Sequence, residues 1–84
     1  MINAKRIVYV LESTRHPTRH YVGLTSNLVA RLEAHNSGHC PHTARDRPWR
    51  ILVHLEFAAE HSAALFERYL KSGSGRVFAK RHFV

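Results

Sequence analysis

The sequence is poor in acidic residues, has a single cysteine and contains no long hydrophobic run. One cysteine cannot form an internal disulfide framework, so we expect the chain to work in a reducing, cytoplasmic compartment. No stretch approaches the roughly 20 apolar residues that span a bilayer, and the N-terminal residues lack the apolar segment of a signal peptide. These absences argue against membrane-embedded and secreted classes.

Basic residues outnumber acidic residues by 13 to 6, which gives a formal net charge of +7. On a chain of 84 residues this excess favours a polyanionic partner, and we expect nucleic acid rather than a membrane or a small molecule. The alternative is a soluble basic protein whose charge only hydrates its surface. The length predicts one domain, residues 1–84, with a modest core.

The hydrophobic pattern predicts three strands, at 6–11, at 20–24 and from Trp49 or Ile51 to Phe57. The first strand has apolar residues at both odd- and even-numbered positions, which is typical of a central strand covered on both faces. It is expected to pair with the second in an antiparallel hairpin. The third alternates, with the odd-numbered positions from Ile51 to Phe57 facing the core, as in an edge strand.

The segment from Ser26 to Asn36 has the spacing of an amphipathic helix, capped by Ser26 or Asn27. Gly38 is expected to end this helix. Its core side is expected to carry Leu28, Val29 and Leu32. Arg31 and His35 lie one turn apart at the boundary of this apolar stripe, neither buried nor fully exposed. Gly23, just before the helix, is expected to let the chain turn closely into it.

A second amphipathic helix is predicted over 60–70, with a break at 72–75 and a short third helix in 76–84. The core faces are predicted to carry Ala63, Leu65, Phe66, Tyr69 and Leu70 in the second helix, and Val77 and Phe78 in the third. The order is β-β-α-β-α with a short C-terminal helix. This predicts an α+β fold with a three-stranded, mainly antiparallel sheet.

Tyr21, Arg31 and His35 are the residue types that handle phosphate. A guanidinium can donate two parallel hydrogen bonds to anionic oxygens. A tyrosine needs a lowered pKa to act as a base, and a nearby cation favours its phenolate. Ordinary alternatives remain open, because arginines are usually exposed, tyrosines pack in sheets, and a histidine at a helix C-terminus is stabilised by the helix dipole.

Two tripeptides, Val-Tyr-Val at 8–10 and Tyr-Val-Gly at 21–23, are followed by Arg31 and Glu67. This ordered set resembles the paired motifs of the GIY-YIG nuclease superfamily. The resemblance covers nearly the whole chain and includes Arg-x-Arg-Pro before the third strand and Phe-Glu-Arg-Tyr-Leu-Lys in the second helix. It is greatest with small stand-alone bacterial members, which are similar to the nuclease domain of structure-specific endonucleases.

This resemblance implies a metal-dependent endonuclease that hydrolyses DNA phosphodiesters at branches, flaps or single strands, in repair or recombination. It implies a catalytic set of Tyr9, Tyr21, Arg31, His35 and Glu67. Tyr9 is expected to shape the site through a hydrogen bond, and Glu67 to hold Mg²⁺ or Mn²⁺. One carboxylate together with waters and a substrate phosphate suits Mg²⁺. The alternative for Glu67 is a surface pair with Lys71, one turn further along.

Further basic side chains are expected to hold the DNA backbone without reading its sequence. They are Arg45, Arg47, Arg50, Arg68, Lys71, Arg76, Lys80 and Arg81. The chain departs from many family members in having no asparagine after the metal-binding helix, and Leu24 where some have lysine. Two alternatives therefore stay open: a nucleic-acid-binding module with slow or no turnover, and a subunit that needs a protein partner or a homodimer.

The cluster His35, His39, Cys40 and His42 has residue types that bind zinc, but its spacing matches no zinc ligand pattern, and a basic loop is favoured. The segment 73–76 has the glycines of a phosphate-binding loop. As a short break between helices, it is favoured as a turn.

Overall fold

A computed structural model describes residues 4–84 and shows a three-stranded antiparallel sheet in the order β2-β1-β3. The strands are β1 (Ile7–Ser13), β2 (His20–Thr25) and β3 (Trp49–Glu56). The helices are α1 (Leu28–Asn36), α2 (Pro41–Ala44), α3 (Glu60–Leu70) and α4 (Gly73–His82). The predicted α+β class and element order are confirmed. The additions are α2, which lies between the predicted first helix and third strand where no element was predicted, and the length of α4.

β1 lies between the other two strands, and residues 8–11 are all buried. Its alternating side chains enter two cores. Val8 and Val10 pack with α3 and α4 on one face, while Tyr9 and Leu11 pack with α1 on the other. Full burial of a valine or leucine side chain stabilises the fold by about 1.5–3 kcal/mol. The predicted central strand, covered on both faces, is confirmed.

β3 is an edge strand, as predicted, and it pairs with β1 through a β-bulge. The register passes from Val10 opposite Val53 to Leu11 opposite Ile51, so Leu52 is an extra residue in β3. Because of this insertion, Ile51 packs on the α1 side and Val53 on the α3–α4 side. The prediction that both residues share one face is wrong.

Helix α1 begins after Asn27, whose side chain accepts an amide of the first turn at 3.1 Å. Leu28 and Leu32 pack on the α1-side core as predicted. Val29 is 70 % exposed, so its predicted core position is wrong. Gly38, with φ of +84°, follows the C-cap and ends the helix in the left-handed conformation that favours glycine.

Helix α3 covers the opposite face of the sheet with a narrower stripe than predicted. Ala63 and Leu70 are buried and Phe66 packs against them. Leu65 and Tyr69 are 48 % and 40 % exposed, so their predicted core positions are wrong. Leu65 lies about 200° around the helix from Ala63, because each residue turns an α-helix by about 100°.

Helix α4 starts at Gly73, directly after Ser72, so the predicted break over 72–75 is reduced to a helix cap. The Ser72 hydroxyl accepts the Gly75 amide at 3.1 Å. Phe78 packs on the core as predicted, whereas Val77 is 57 % exposed, contrary to the prediction. Over residues 4–84, none of the helices has the length and apolar character needed to cross a membrane.

Candidate active site

Tyr9, Tyr21, Arg31 and His35 meet on the α1 side of the sheet. β1 and β2 place the two tyrosine rings with their centroids 6.2 Å apart. Helix α1 places the His35 ring 4.8 Å from the Tyr21 ring and 5.9 Å from the Tyr9 ring, measured between centroids. Arg31, one helical turn before His35, lies near enough to Tyr9 to change its pKa. The fold therefore gathers four of the five predicted catalytic residues.

A buried hydrogen-bond chain runs through this group. The Tyr9 hydroxyl lies 2.9 Å from Nε2 of His35, and Nδ1 of His35 lies 2.8 Å from Oγ1 of Thr43. Tyr9, His35 and Thr43 are only 1 %, 0 % and 2 % exposed. The expectation that His35 is a boundary residue is wrong, because α2 carries Thr43 against it.

Thr43 is a member of this group that the sequence did not reveal. It lies in α2, for which the sequence predicted no helix or strand. The one local signal is Pro41, which occupies the first turn of α2, a position that favours proline. That signal predicts a helix start and says nothing about a contact with His35.

Burial decides the protonation states of the buried pair. It raises the pKa of the Tyr9 phenol, and the nearby Arg31 guanidinium opposes this rise without cancelling it. Burial is also the main reason that the pKa of His35 lies below its ordinary value, and the positive charge of Arg31 adds to the effect. At neutral pH the site therefore holds a protonated phenol bonded to a neutral imidazole.

Gly23 makes room for Tyr9. The two residues face each other in the β1–β2 register. A Cβ at Gly23 would lie 2.3 Å from both Cζ and the hydroxyl oxygen of Tyr9, well inside van der Waals contact. The expectation that Gly23 lets the chain turn into α1 is wrong, because Gly23 lies within β2. It is glycine because the Tyr9 ring crosses the strand there.

Tyr21 and Arg31 form the more accessible half of the group, since both are only partly buried. Tyr21 lines a cavity of about 430 Å³ together with His42, Thr43 and Trp49. Nη2 of Arg31 lies 3.6 Å from the sulfur of Cys40, a weak acceptor. A phosphate oxygen would be a much stronger partner for this guanidinium.

Glu67 lies on α3, between the buried Ala63 and Leu70, on the helix that packs against β1 and β2. Its carboxylate pairs with the Lys71 ammonium at 2.6 Å, and its side chain is 20 % exposed. The surface-pair alternative is therefore present in the structure. Lys71 takes the carboxylate that the resemblance assigns to a metal.

Within residues 4–84, no group of three or more His, Cys, Asp or Glu side chains is placed to hold a metal ion. Both nitrogens of His35, in the 35–42 cluster, lie within hydrogen-bond distance of Tyr9 and Thr43, and residues 41–44 of the predicted basic loop form α2. The lone carboxylate of Glu67 fits only an ion that keeps most of its water or takes substrate oxygens, such as Mg²⁺.

The predicted DNA-contacting residues do not all present unpaired charge. The guanidinium of Arg50 bonds to Glu12 on β1, and Lys71 pairs with Glu67. Two smaller groups line separate cavities. Arg45 and Arg47 line one beside Asn36, and Lys71, Arg76 and Lys80 line another, of about 800 Å³, between β2 and α4.

A model of the GIY-YIG catalytic domain matches residues 5–81, which include every strand and the residues of the buried chain. The chain is also 37 % identical over 62 residues to a protein of Giardia intestinalis named "Structure-specific endonuclease subunit SLX1 homolog". That alignment covers 69 % of this chain but 17 % of the relative. No solved structure gave a match. The family match extends over nearly the whole chain, and the protein therefore belongs to the GIY-YIG family of nuclease domains.

Proposed function

We propose that this chain is a metal-dependent endonuclease that hydrolyses phosphodiester bonds in DNA. The observation that carries the proposal is the cluster of two tyrosines, a neutral buried imidazole and a guanidinium on one side of the sheet. The net charge of +7 supports a polyanionic substrate. Membership of a nuclease family supports cleavage rather than binding alone.

In this proposal the accessible residues contact the substrate and the buried residues hold them. Arg31 donates paired hydrogen bonds to the scissile phosphate, where its charge also stabilises the transition state. Tyr21, beside the cavity, orients the attacking water and accepts its proton. Tyr9 and His35 are too deeply buried to reach a phosphate, so they act by fixing the positions of Tyr21 and Arg31.

Glu67 would hold the metal, Mg²⁺ or Mn²⁺. A single partly buried carboxylate matches the preference of Mg²⁺ for a few protein oxygens among several waters. When bound, the ion supplies positive charge that polarises the phosphate and stabilises the departing oxygen. The ion pair at 2.6 Å means that Lys71 and a cation compete for the Glu67 carboxylate.

Branched, flapped or single-stranded DNA is the proposed substrate class, and repair or recombination in the cytoplasm the proposed setting. The named relative, a subunit of a structure-specific endonuclease, supports this class. The chain spans only 17 % of that relative. The relative is named as a subunit, which supports a protein partner or a homodimer as part of the proposal.

The direct test is cleavage of end-labelled flap, three-way-junction, single-stranded and duplex DNA with Mg²⁺, Mn²⁺ or EDTA. We expect metal-dependent cutting, reduced about 10²–10⁴-fold by Tyr21→Phe, the usual scale for removing an acid–base group. Glu67→Gln should also abolish cutting at low metal concentration. The matched changes Tyr69→Phe and Glu60→Gln, at exposed positions on α3, should leave it unchanged.

Two outcomes would contradict the proposal. Equal binding of every substrate with no cleavage by the wild-type chain, alone or at high concentration, would identify a nucleic-acid-binding module. Cleavage by Tyr21→Phe at the wild-type rate would remove Tyr21 from the chemistry. A salt titration of binding adds a check, because affinity that does not fall with salt would exclude phosphate contacts.

A further inference from the structure

We propose that Thr43 is a positioning residue that fixes the tautomer of His35, with the proton on Nδ1 and the lone pair of Nε2 directed at Tyr9. The hydroxyl proton of Tyr9 is then donated to His35. The tautomer follows from the geometry alone. Its effect on cleavage rests on the proposed nuclease function.

Thr43 is held in place by one further hydrogen bond of its hydroxyl and one of its backbone carbonyl. Its Oγ1 lies 3.3 Å from the Cys40 carbonyl oxygen, which can accept its proton. The Thr43 carbonyl accepts the indole N–H of Trp49 at 2.8 Å, and Trp49 is only 5 % exposed. With its own proton directed to Cys40, Oγ1 presents a lone pair to Nδ1 of His35 at 2.8 Å.

The opposite tautomer leaves a proton without an acceptor. If Nε2 of His35 carried the proton, it would donate to the Tyr9 oxygen, and the Tyr9 proton would need another partner. Arg31, which acts on the pKa of Tyr9, has only donors. Tyr9 is 1 % exposed, so bulk water does not reach its hydroxyl. A buried donor without a partner loses its hydrogen bond to water and gains none in the protein, which favours the Nδ1–H form.

The tautomer determines what Tyr9 offers to Arg31. With its proton directed at His35, the Tyr9 oxygen leaves a lone pair available to the Arg31 guanidinium, and the proximity of Tyr9 raises the pKa of Arg31. The chain from Thr43 through His35 and Tyr9 therefore orients the cation that would bind the phosphate. Through this chain α2, a helix of 4 residues, becomes part of the site.

Nuclear magnetic resonance of ¹⁵N-histidine-labelled protein tests the tautomer without any cleavage assay. Two-bond ¹H–¹⁵N correlations distinguish a protonated Nδ1 from a protonated Nε2. The His35 signals are those missing from the spectrum of His35→Gln. We expect the Nδ1–H tautomer in the wild type and in Thr43→Ser, which keeps the hydroxyl. Thr43→Val, which has the same shape but no hydroxyl, should shift His35 towards the Nε2–H form.

The cleavage assay tests the consequence. Thr43→Val should lower kcat about tenfold or more with KM unchanged, the scale found for partners that orient metal-bound histidines. Thr43→Ser should restore most of the rate. An Nε2–H tautomer in the wild type would overturn the inference, as would an unaltered tautomer in a folded Thr43→Val. An inactive wild type with the Nδ1–H tautomer would refute the nuclease function and leave the tautomer assignment intact.

Discussion

Replacement of Gly23 by alanine tests whether the Tyr9 ring crosses β2 as described. The new Cβ would lie 2.3 Å from Cζ and the hydroxyl oxygen of Tyr9 and 2.7 Å from Cε1. These atoms belong to a rigid ring that is 1 % exposed and bonded to His35. The ring cannot swing aside without breaking that bond, so either β2 must bow outwards or Tyr9 must leave its position.

Both responses lower the free energy of unfolding. Overpacking of a well-packed core costs about 1–3 kcal/mol, and a buried group that loses its hydrogen-bond partner costs about 1–3 kcal/mol. Because β2 is an edge strand and can shift, we expect the lower part of the sum, about 2–4 kcal/mol. For a domain of this length, that lowers Tm by roughly 10–30 °C.

Urea and thermal unfolding, followed by circular dichroism, measure this effect. Gly73→Ala is the matched control, because no atom lies within 4 Å of the position its Cβ would take. Alanine there, at the start of α4, should leave stability unchanged or raise it by up to about 1 kcal/mol. If the free energy of unfolding of Gly23→Ala lies within about 0.5 kcal/mol of the wild-type value, Tyr9 does not pack on Gly23. The geometry of the site would then need revision.

Two further predictions concern charge. Lys71→Gln removes an i,i+4 ion pair with Glu67 that is worth about 0.3–0.5 kcal/mol. In a metal titration, the Mg²⁺ concentration for half-maximal cleavage should therefore fall about twofold. A rise in this concentration would contradict the proposed competition between Lys71 and Mg²⁺ for the Glu67 carboxylate. Because burial lowers the pKa of His35 from 6.5, the unfolded chain takes up this proton first as the pH falls. The stability from neutral His35 is therefore complete above pH 6.5 and lost below it. Urea unfolding should show that the wild type loses more free energy of unfolding than His35→Gln between pH 7.5 and 5.5. Equal losses in the two proteins would refute this prediction.

The sequence predicted the fold where patterns are local and periodic. The apolar run of β1 and the full extent of α3 follow from side-chain periodicity, and α1 follows from its periodicity and the Asn27 cap. The prediction failed at Ile51 because a β-bulge changes which face of the sheet the following side chains occupy, and the residue types do not reveal the bulge. It failed at Val29 and Leu65 because an apolar residue on a helix of a small domain is not always matched by a facing surface.

The site was predictable in its residue types and not in its burial. The motif order led to Tyr9, Tyr21, Arg31 and His35, which the fold brings together. The contact between His35 and Thr43 is invisible in sequence, because the covering helix α2 has 4 residues and no periodic pattern. Burial by such a short element arises from tertiary packing. It nevertheless decides the protonation of His35, and hence the state of the site.

The same chemical change at two tyrosines should separate the buried half of the site from its accessible half. Tyr9→Phe removes the hydroxyl bonded to His35 at 2.9 Å and leaves Nε2 buried without a partner. This should lower the free energy of unfolding by about 1–3 kcal/mol in addition to slowing cleavage. Tyr21→Phe, at the cavity, should slow cleavage with stability within about 0.5 kcal/mol of the wild type.

Measurement of both properties on both variants decides between two arrangements of the site. If Tyr21→Phe destabilises the fold as much as Tyr9→Phe, the two tyrosines form one structural unit, and the division into buried support and accessible chemistry is wrong. If Tyr9→Phe loses stability but cleaves at the wild-type rate, the chain from Thr43 to Tyr9 belongs to the core alone. Loss of both properties in Tyr9→Phe, with loss of cleavage alone in Tyr21→Phe, is the expected result. It would mean that this small domain uses part of its core to hold its catalytic groups.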